Sequence, residues 1–322
     1  MNKKEYNVLI ADDLVSIRFA IRDYLHDDFN IYEAGDGMEA IDILNQHKID
    51  FVLTDIRMPE MGGIELIEHM KIHFPRVPFA LMTAYNVNDY IEYARKYGIL
   101  NIIPKTTLLD LAFVKTMILK ILSGDIFGIE KYYPGIQKVR LDSGIEALKN
   151  TADLRCENVF YTLEVPSLKD ADRICDFAAW NLIRLGSPTY IRQVLDELTS
   201  NAMIYGAGMN RKYEGESSEH IDISFGKRGP SLLISVTDYR GTLNSEEILF
   251  RLERHLKMDP ATGLPIGIGD NHGRGLFISR EELDHLIFNI LPGEKTEIIG
   301  IIQKDSELKN RSLSIYESVS IG

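Results

Sequence analysis

Val8-Leu-Ile-Ala-Asp12-Asp13 is a short apolar run that stops at two carboxylates, and Phe51-Val-Leu-Thr-Asp55 repeats the pattern further along the chain. Two later apolar runs close on Thr83 and Lys105. Segments with the apolar period of helices lie between them. The expected order is strand 7–11, helix 14–26, strand 30–34, helix 37–47, strand 50–55, helix 62–73, strand 78–83, helix 87–97, strand 100–104 and helix 107–122. Strands alternating with helices are the pattern of a doubly wound α/β sheet, and such sheets hold ligands at the carboxyl ends of their strands. Asp12, Asp13, Asp55, Thr83 and Lys105 are therefore expected around one pocket. Three carboxylates, a hydroxyl and an ammonium suit a hard cation such as Mg²⁺ beside a phosphoryl group.

The chain has 322 residues, 45% apolar and 26% charged, with a formal net charge of −12. That length fits two domains, each able to bury its own core. The acidic balance extends over both halves. It disfavours a nucleic-acid partner, whose affinity comes from Lys and Arg neutralising phosphates, and an acidic membrane surface would repel it. Cys156 and Cys175 are the only cysteines, without the spacing of a zinc site or a disulfide framework. With neither a signal-peptide core nor a membrane-length apolar run, a cytoplasmic protein is expected.

Residues 1–122 resemble the receiver domain of two-component response regulators, a (βα)5 fold. The matching motifs are Ala11-Asp12-Asp13, Thr54-Asp55-Ile-Arg57-Met58-Pro59-Glu-Met-Gly62-Gly63, Met82-Thr83-Ala84-Tyr85 and Lys105. The resemblance implies that Asp55 accepts a phosphoryl group from an upstream histidine kinase. Asp12, Asp13, Asp55 and the backbone carbonyl of Arg57 would bind Mg²⁺, Thr83 would follow the phosphoryl group, and Lys105 would pair with it. Two positions depart from the family pattern: Ile102 stands where receivers usually carry an aromatic, and Thr106 where they usually carry proline.

Residues 123–152, with Gly124, Gly128, Pro134-Gly135 and Gly144, read as an interdomain linker. A short helical candidate runs from Ser143 to Asn150. Ile126-Phe127 and Tyr132-Tyr133 suggest that the segment packs, and a packed connector can carry a rotation or a homodimer contact. None of the eight histidines falls between His73 and His220.

In residues 153–303 an alternating strand at 160–166 precedes a helix at 168–185. Ser187-Pro188 offers an N-cap and a proline for a helix running through Tyr205. Ile191, Val194, Leu195, Leu198, Ala202 and Tyr205 share one face of it, with Glu197 and Asn201 side by side on the flank. Strands at 219–226 and 231–238, helices at 244–257 and 274–284, and a hairpin of 285–291 with 295–303 complete an α+β two-layer sandwich. The tail 304–322, rich in serine and charge, is expected to be disordered.

This part resembles the GHKL ATPase family, and within it the anti-sigma-factor serine kinases. The resemblance rests on Val165-Pro166-Ser167, Glu197-Leu-Thr-Ser-Asn201-Ala202, Val236-Thr-Asp238 and Leu291-Pro-Gly-Glu-Lys-Thr-Glu297. It implies an ATP site in which Asn201 holds Mg²⁺, Glu197 orients or deprotonates an attacking hydroxyl, and Asp238 takes the adenine amino group. Gly273, Arg274 and Gly275 would meet the phosphates at a helix start, with Gly267 and Gly269 in a lid. Arg240 stands where the family usually has glycine. The implied function is a response regulator whose phosphorylation controls a serine/threonine kinase or partner-switching output acting on an anti-sigma antagonist or a sigma factor. The alternatives are a non-catalytic module that binds nucleotide or sequesters such a partner and, more remotely, an atypical histidine kinase, which the histidine-free stretch disfavours.

Overall fold

The computed structural model describes residues 5–105, 109–144, 148, 154, 157–206, 220–257, 266, 274–303 and 311–318. The chain divides into two compact units, Met1–Ile126 and Phe127–Gly322.

In the first unit β1 (Asn7–Ala11), β2 (Asn30–Ala34), β3 (Phe51–Asp55), β4 (Phe79–Thr83) and β5 (Asn101–Pro104) form a sheet in the order β2-β1-β3-β4-β5. All neighbours are parallel. Strands covered on both faces read as continuous apolar runs, and Val8, Leu9, Ile10 and Ala11 are fully buried. The helices are α1 (Val15–Leu25), α2 (Gly37–Gln46), α3 (Gly63–His73), α4 (Ile91–Tyr97) and α5 (Leu111–Ser123). Helix α1 packs on α5 and α2 on α3, the two-layer cover of a doubly wound sheet. The predicted helix 87–97 begins as a 3₁₀ turn, Val87–Tyr90. The last helix starts later than its apolar period suggested because Asp110 accepts the Phe113 N–H and caps it there. Gly98 and Gly124, both left-handed, end α4 and α5.

The second unit has the strand order β12-β10-β11-β9-β8-β7-β6. These are β6 (Gln137–Leu141), β7 (Val159–Val165), β8 (Ile221–Arg228), β9 (Ser231–Asp238), β10 (His285–Leu291), β11 (Lys295–Gln303) and β12 (Ser312–Glu317). β6–β7 and β10–β12 pair in parallel and the remaining pairs are antiparallel. Its helices are α6 (Leu168–Arg184), α7 (Ile191–Asn201), α8 (Ser245–Leu256) and α9 (Arg274–Glu282). Ile221, Ile223 and Phe225 turn one apolar face of β8 inward, and Phe177 of α6 meets Phe225 edge-on. Helix α7 packs between α6 and α9.

Three larger departures from the sequence reading concern the second unit. First, much of the linker 123–152 belongs to the second unit. The edge strand β6 lies in it, and Gly128 donates its N–H to the buried Glu297 carboxylate at 2.9 Å. Gly128 has φ +97°, a conformation that favours glycine. Second, α7 begins at Ile191 instead of Pro188, because Ile191 N–H bonds the Pro188 carbonyl in a preceding turn. Beyond Asn201 it widens into a π-helical turn, Ala202–Gly206. Third, the tail expected to be disordered contains β12. Its serine content masked a period of two: Leu313 and Ile315 are buried, as are Ser312 and Ser314 on the alternate face. The helical candidate 143–150 and the lid residues Gly267 and Gly269 lie largely or wholly outside the described residues.

Leu313→Ala removes a fully buried side chain from β12 and should cost about 2–5 kcal/mol in denaturant unfolding. A disordered tail would leave the unfolding midpoint unchanged.

Candidate functional site

The order β2-β1-β3 reverses the direction of winding at β1 and β3, so the loops that follow these strands diverge and leave a crevice. Asp12 and Asp13 follow β1, and Asp55 ends β3. Carboxylate oxygens of the three lie within 4.8 Å of one another. Thr83 ends β4. The Lys105 N–H bonds the Thr83 carbonyl, which brings the lysine to the same rim. Its ammonium sits 2.6 Å from Asp12 Oδ2 and 2.7 Å from Asp55 Oδ2. The structure thus brings all five predicted residues of this pocket together.

Asp12 is fully buried. Its Oδ1 accepts the Leu14 N–H at 3.0 Å, whereas Oδ2 faces Lys105 without an aligned hydrogen bond. Burial pushes the Asp12 carboxyl above its ordinary value, against the pull of Lys105 and the Leu14 N–H. Close carboxylates around one ammonium leave excess negative charge in a confined space, a donor set suited to a second cation. Asp55 Oδ1 accepts the Ile56 N–H at 2.7 Å, which fixes the carboxyl plane. Thr83 Oγ1 accepts the Tyr85 N–H at 3.0 Å, leaving the hydroxyl proton to donate.

Two features of this pocket escaped the sequence reading. A Cβ on Gly63 would lie 2.0 Å from the Asp55 carbonyl oxygen, so the second glycine of Gly62-Gly63 lets α3 approach the acceptor strand. Arg57 lies over the Tyr85 ring, 4.2 Å from its centroid, and bonds the Tyr85 hydroxyl. No spacing rule pairs an arginine after β3 with a tyrosine after β4.

In the second unit, Glu197 and Asn201 project from α7 toward the start of α9. A Cβ on Gly275 would meet Glu197 Oε2 at 2.6 Å and Asn201 Nδ2 at 2.8 Å, so the glycine lets the two helices touch there. Asn201 Nδ2 is buried without a hydrogen-bond partner among the described residues. Asn201 and Asp238 also line one cavity of about 30 Å³, together with Thr242, Leu243, Leu276 and Thr296. Burial raises the Asp238 carboxyl above its ordinary value. Its Oδ1 accepts N–H groups from Arg240 and Gly241 at 3.0 and 3.1 Å. Gly241 has φ +56°, and a Cβ there would lie 2.2 Å from the Leu291 carbonyl oxygen. Arg274 opens α9, while Gly267, Gly269 and Gly273 fall outside the described residues. Thr296 was hidden within the hairpin motif, and only strand register puts it opposite Asp238.

A second acidic group joins Glu164, His220 and Asp222. Arg140 already bonds both carboxylates at about 3 Å, and Tyr239 donates to Asp222. Its carboxylates are thus engaged by side chains of the protein itself. Among the described residues, no helix is long and apolar enough to cross a membrane.

Residues 8–112 match the response regulator receiver domain family. The chain is 33% identical over 101 residues to sporulation initiation phosphotransferase F of Bacillus subtilis (strain 168), covering 31% of this chain and 79% of that protein. It is 37% identical over 94 residues to the transcriptional regulatory protein PdtaR of Mycobacterium tuberculosis, covering 28% of this chain and 45% of that protein. For the transcriptional regulatory protein ZraR of Klebsiella oxytoca, at 32% identity over 33% of this chain, the share covered is 24%. The chain therefore spans most of the first relative and less than half of the other two. Among solved structures, the receiver domain of AraT, a response regulator from Geobacillus stearothermophilus, is 28% identical with a TM-score of 0.34, over 37% of this chain and 94% of that one. With its acidic crevice and the match over residues 8–112, the chain belongs to the response regulator receiver family.

Proposed function

We propose that Asp55 accepts a phosphoryl group from a phosphohistidine donor, such as an upstream histidine kinase, and that this modification controls an ATP-dependent output in the second unit. The observation that carries the first half is the Lys105 ammonium between Asp12 and Asp55, with Asp13 within reach. The donor atoms fit Mg²⁺: all are oxygens, and three carboxylates gather around a single ammonium. Asp12, Asp13, Asp55 and the Arg57 carbonyl would hold the ion, and it would offset charge on the transferring group. An Asp55 carboxylate oxygen attacks phosphorus as the bond to the donor nitrogen breaks. Lys105 then pairs with the new phosphoryl oxygens and Thr83 donates its hydroxyl to one of them. The added charge of about −1.5 to −2 is the switching force.

For the output we infer a GHKL-type site that serves a serine/threonine kinase or partner-switching activity on a protein such as an anti-sigma antagonist or a sigma factor. Its support is the meeting of Glu197, Asn201 and Gly275, with Asp238 in the same cavity as Asn201. Asn201 would hold Mg²⁺ against the phosphates through its amide oxygen, while its amide nitrogen, without a partner among the described residues, could donate to a phosphate oxygen. Asp238 would take the adenine amino group, and Glu197 would receive the proton of an acceptor hydroxyl. Arg274 and Gly275 would supply a helix N-terminus to the phosphates.

One observation favours a non-catalytic output. A cavity of about 30 Å³ holds roughly one water, far below the ~300–1,000 Å³ of ordinary ligand sites. Nucleotide entry therefore requires the cleft to open. An output that sequesters its partner without phosphoryl transfer does not need that opening.

Two tests separate these parts. Beryllofluoride, titrated with Mg²⁺, should bind once per chain. Asp55→Asn or chelation should abolish binding with circular dichroism unchanged, and binding that survives Asp55→Asn refutes the acceptor assignment. For the output, calorimetry with Mg-ATP should give saturable binding that Asn201→Ala or Asp238→Asn weakens at least about tenfold, roughly the loss of one good polar contact. Labelled ATP should then mark serine or threonine on an anti-sigma antagonist. Glu197→Ala should slow that transfer about 10²–10⁴-fold while binding persists. Binding without transfer selects the sequestering output, and no binding removes the ATP site.

A further inference from the structure

We propose that a small oxyanion, of the phosphate or carboxylate kind, binds at the guanidinium groups of Arg280 and Arg311, where the end of α9 meets the start of β12. The two arginines are interlocked. Arg280 Nη2 donates to the Arg311 carbonyl, and Arg311 Nη1 pairs with the Glu281 carboxylate. Three further nitrogens, Arg280 Nε, Arg280 Nη1 and Arg311 Nε, are buried with no acceptor among the described residues. Arg280 is 1% exposed, and a guanidinium is seldom enclosed without an anion to pair with.

Charge defines the missing group. Glu281 and Arg311 are the charged groups that act on Arg280, so two guanidiniums share one carboxylate and one positive charge is left over. Burial pushes the Arg280 guanidinium down to about 9, opposed by Glu281 and helped by Arg311, and it stays charged at neutral pH. A buried charge with unpaired N–H groups is expensive to keep. An oxyanion cancels the excess, and its oxygens accept from nitrogens that can only donate. The carbonyl groups at the end of α9 favour a cation there, yet they take none of these three nitrogens. The cluster also meets solvent, since the side chains of Arg311 and Glu281 are 23% and 28% exposed. It is separate from the proposed nucleotide site. Arg274 and Gly275 open α9 and Arg280 lies about 9 Å further along it, so the oxyanion site stands whether or not ATP binds.

The test is thermal unfolding of the full-length protein at constant ionic strength, with inorganic phosphate or acetate replacing chloride in steps. EDTA keeps divalent metal from drawing phosphate to the acidic pocket of the first unit. The midpoint should rise with the logarithm of anion concentration, as mass action requires of a ligand held by the native state. Arg280→Met keeps an apolar stem of similar length, removes the charge, and should abolish the rise. Arg311→Met, at a partly exposed position, should weaken the anion at least about tenfold by calorimetry, and it decides the matter if Arg280→Met does not fold. A rise with phosphate alone assigns a phosphate group to the site, and a rise with acetate alone assigns a carboxylate. A rise that both variants retain in full is the general salting effect of the anion and overturns the proposal. So does a midpoint indifferent to both anions.

Discussion

One ammonium between two carboxylates organises the first unit. Lys105 contacts Asp12 and Asp55 at 2.6 and 2.7 Å, tying together the ends of β1, β3 and β5. The pairing carries a cost, because Asp12 is fully buried and its carboxyl is held above its ordinary value by that burial. Buried ion pairs are poor sources of net stability. The excess negative charge beside the pair suits the cation and the phosphoryl group proposed for this pocket. Protons compete with a metal for the same oxygens, so Mg²⁺ at the proposed site would bind more weakly as the pH falls.

In the second unit the alternation of a single strand links two surfaces. On β11, Thr296 lines the cavity it shares with Asp238 and Asn201. Glu297, next in sequence, points to the other face, where its carboxylate accepts the Gly128 N–H and the Asn289 side chain. Tyr132 and Tyr316 meet through their hydroxyls in the same unit, and Lys295 lies over Phe127. The segment that follows the first unit is thereby anchored to the back of the strand that lines the candidate nucleotide cavity. A buried carboxylate with two donors resists sliding, because loss of either donor leaves charge uncompensated.

The doubly wound sheet was legible because its strands are uniform apolar runs, and its pocket because each run ends on a residue with chemistry. Asp12, Asp55, Thr83 and Lys105 needed only strand ends to be found. Gly63 and Arg57 were visible as residues, but not as contacts, since their roles depend on loops approaching in space. In the second unit Glu197 and Asn201 could be paired by helical spacing, and their contact with Gly275 needed the tertiary fold. β12 was missed because serines on its buried face resemble a polar tail, although Leu313, Ile315 and the serines between them alternate. β6 was missed because its residues are partly exposed at a sheet edge, where no strong apolar pattern is required.

The pocket at the ends of β1, β3 and β5 is proposed to carry a phosphoryl group on one carboxylate, that of Asp55. The most direct test is to incubate the full chain with acetyl phosphate and Mg²⁺, reduce the acyl phosphate with borohydride, and map the product by peptide mass spectrometry. Homoserine is expected in place of aspartate at position 55 and at no other position, dependent on Mg²⁺. Homoserine at another carboxylate, or an unreduced Asp55 peptide under conditions that label a control receiver, would contradict it.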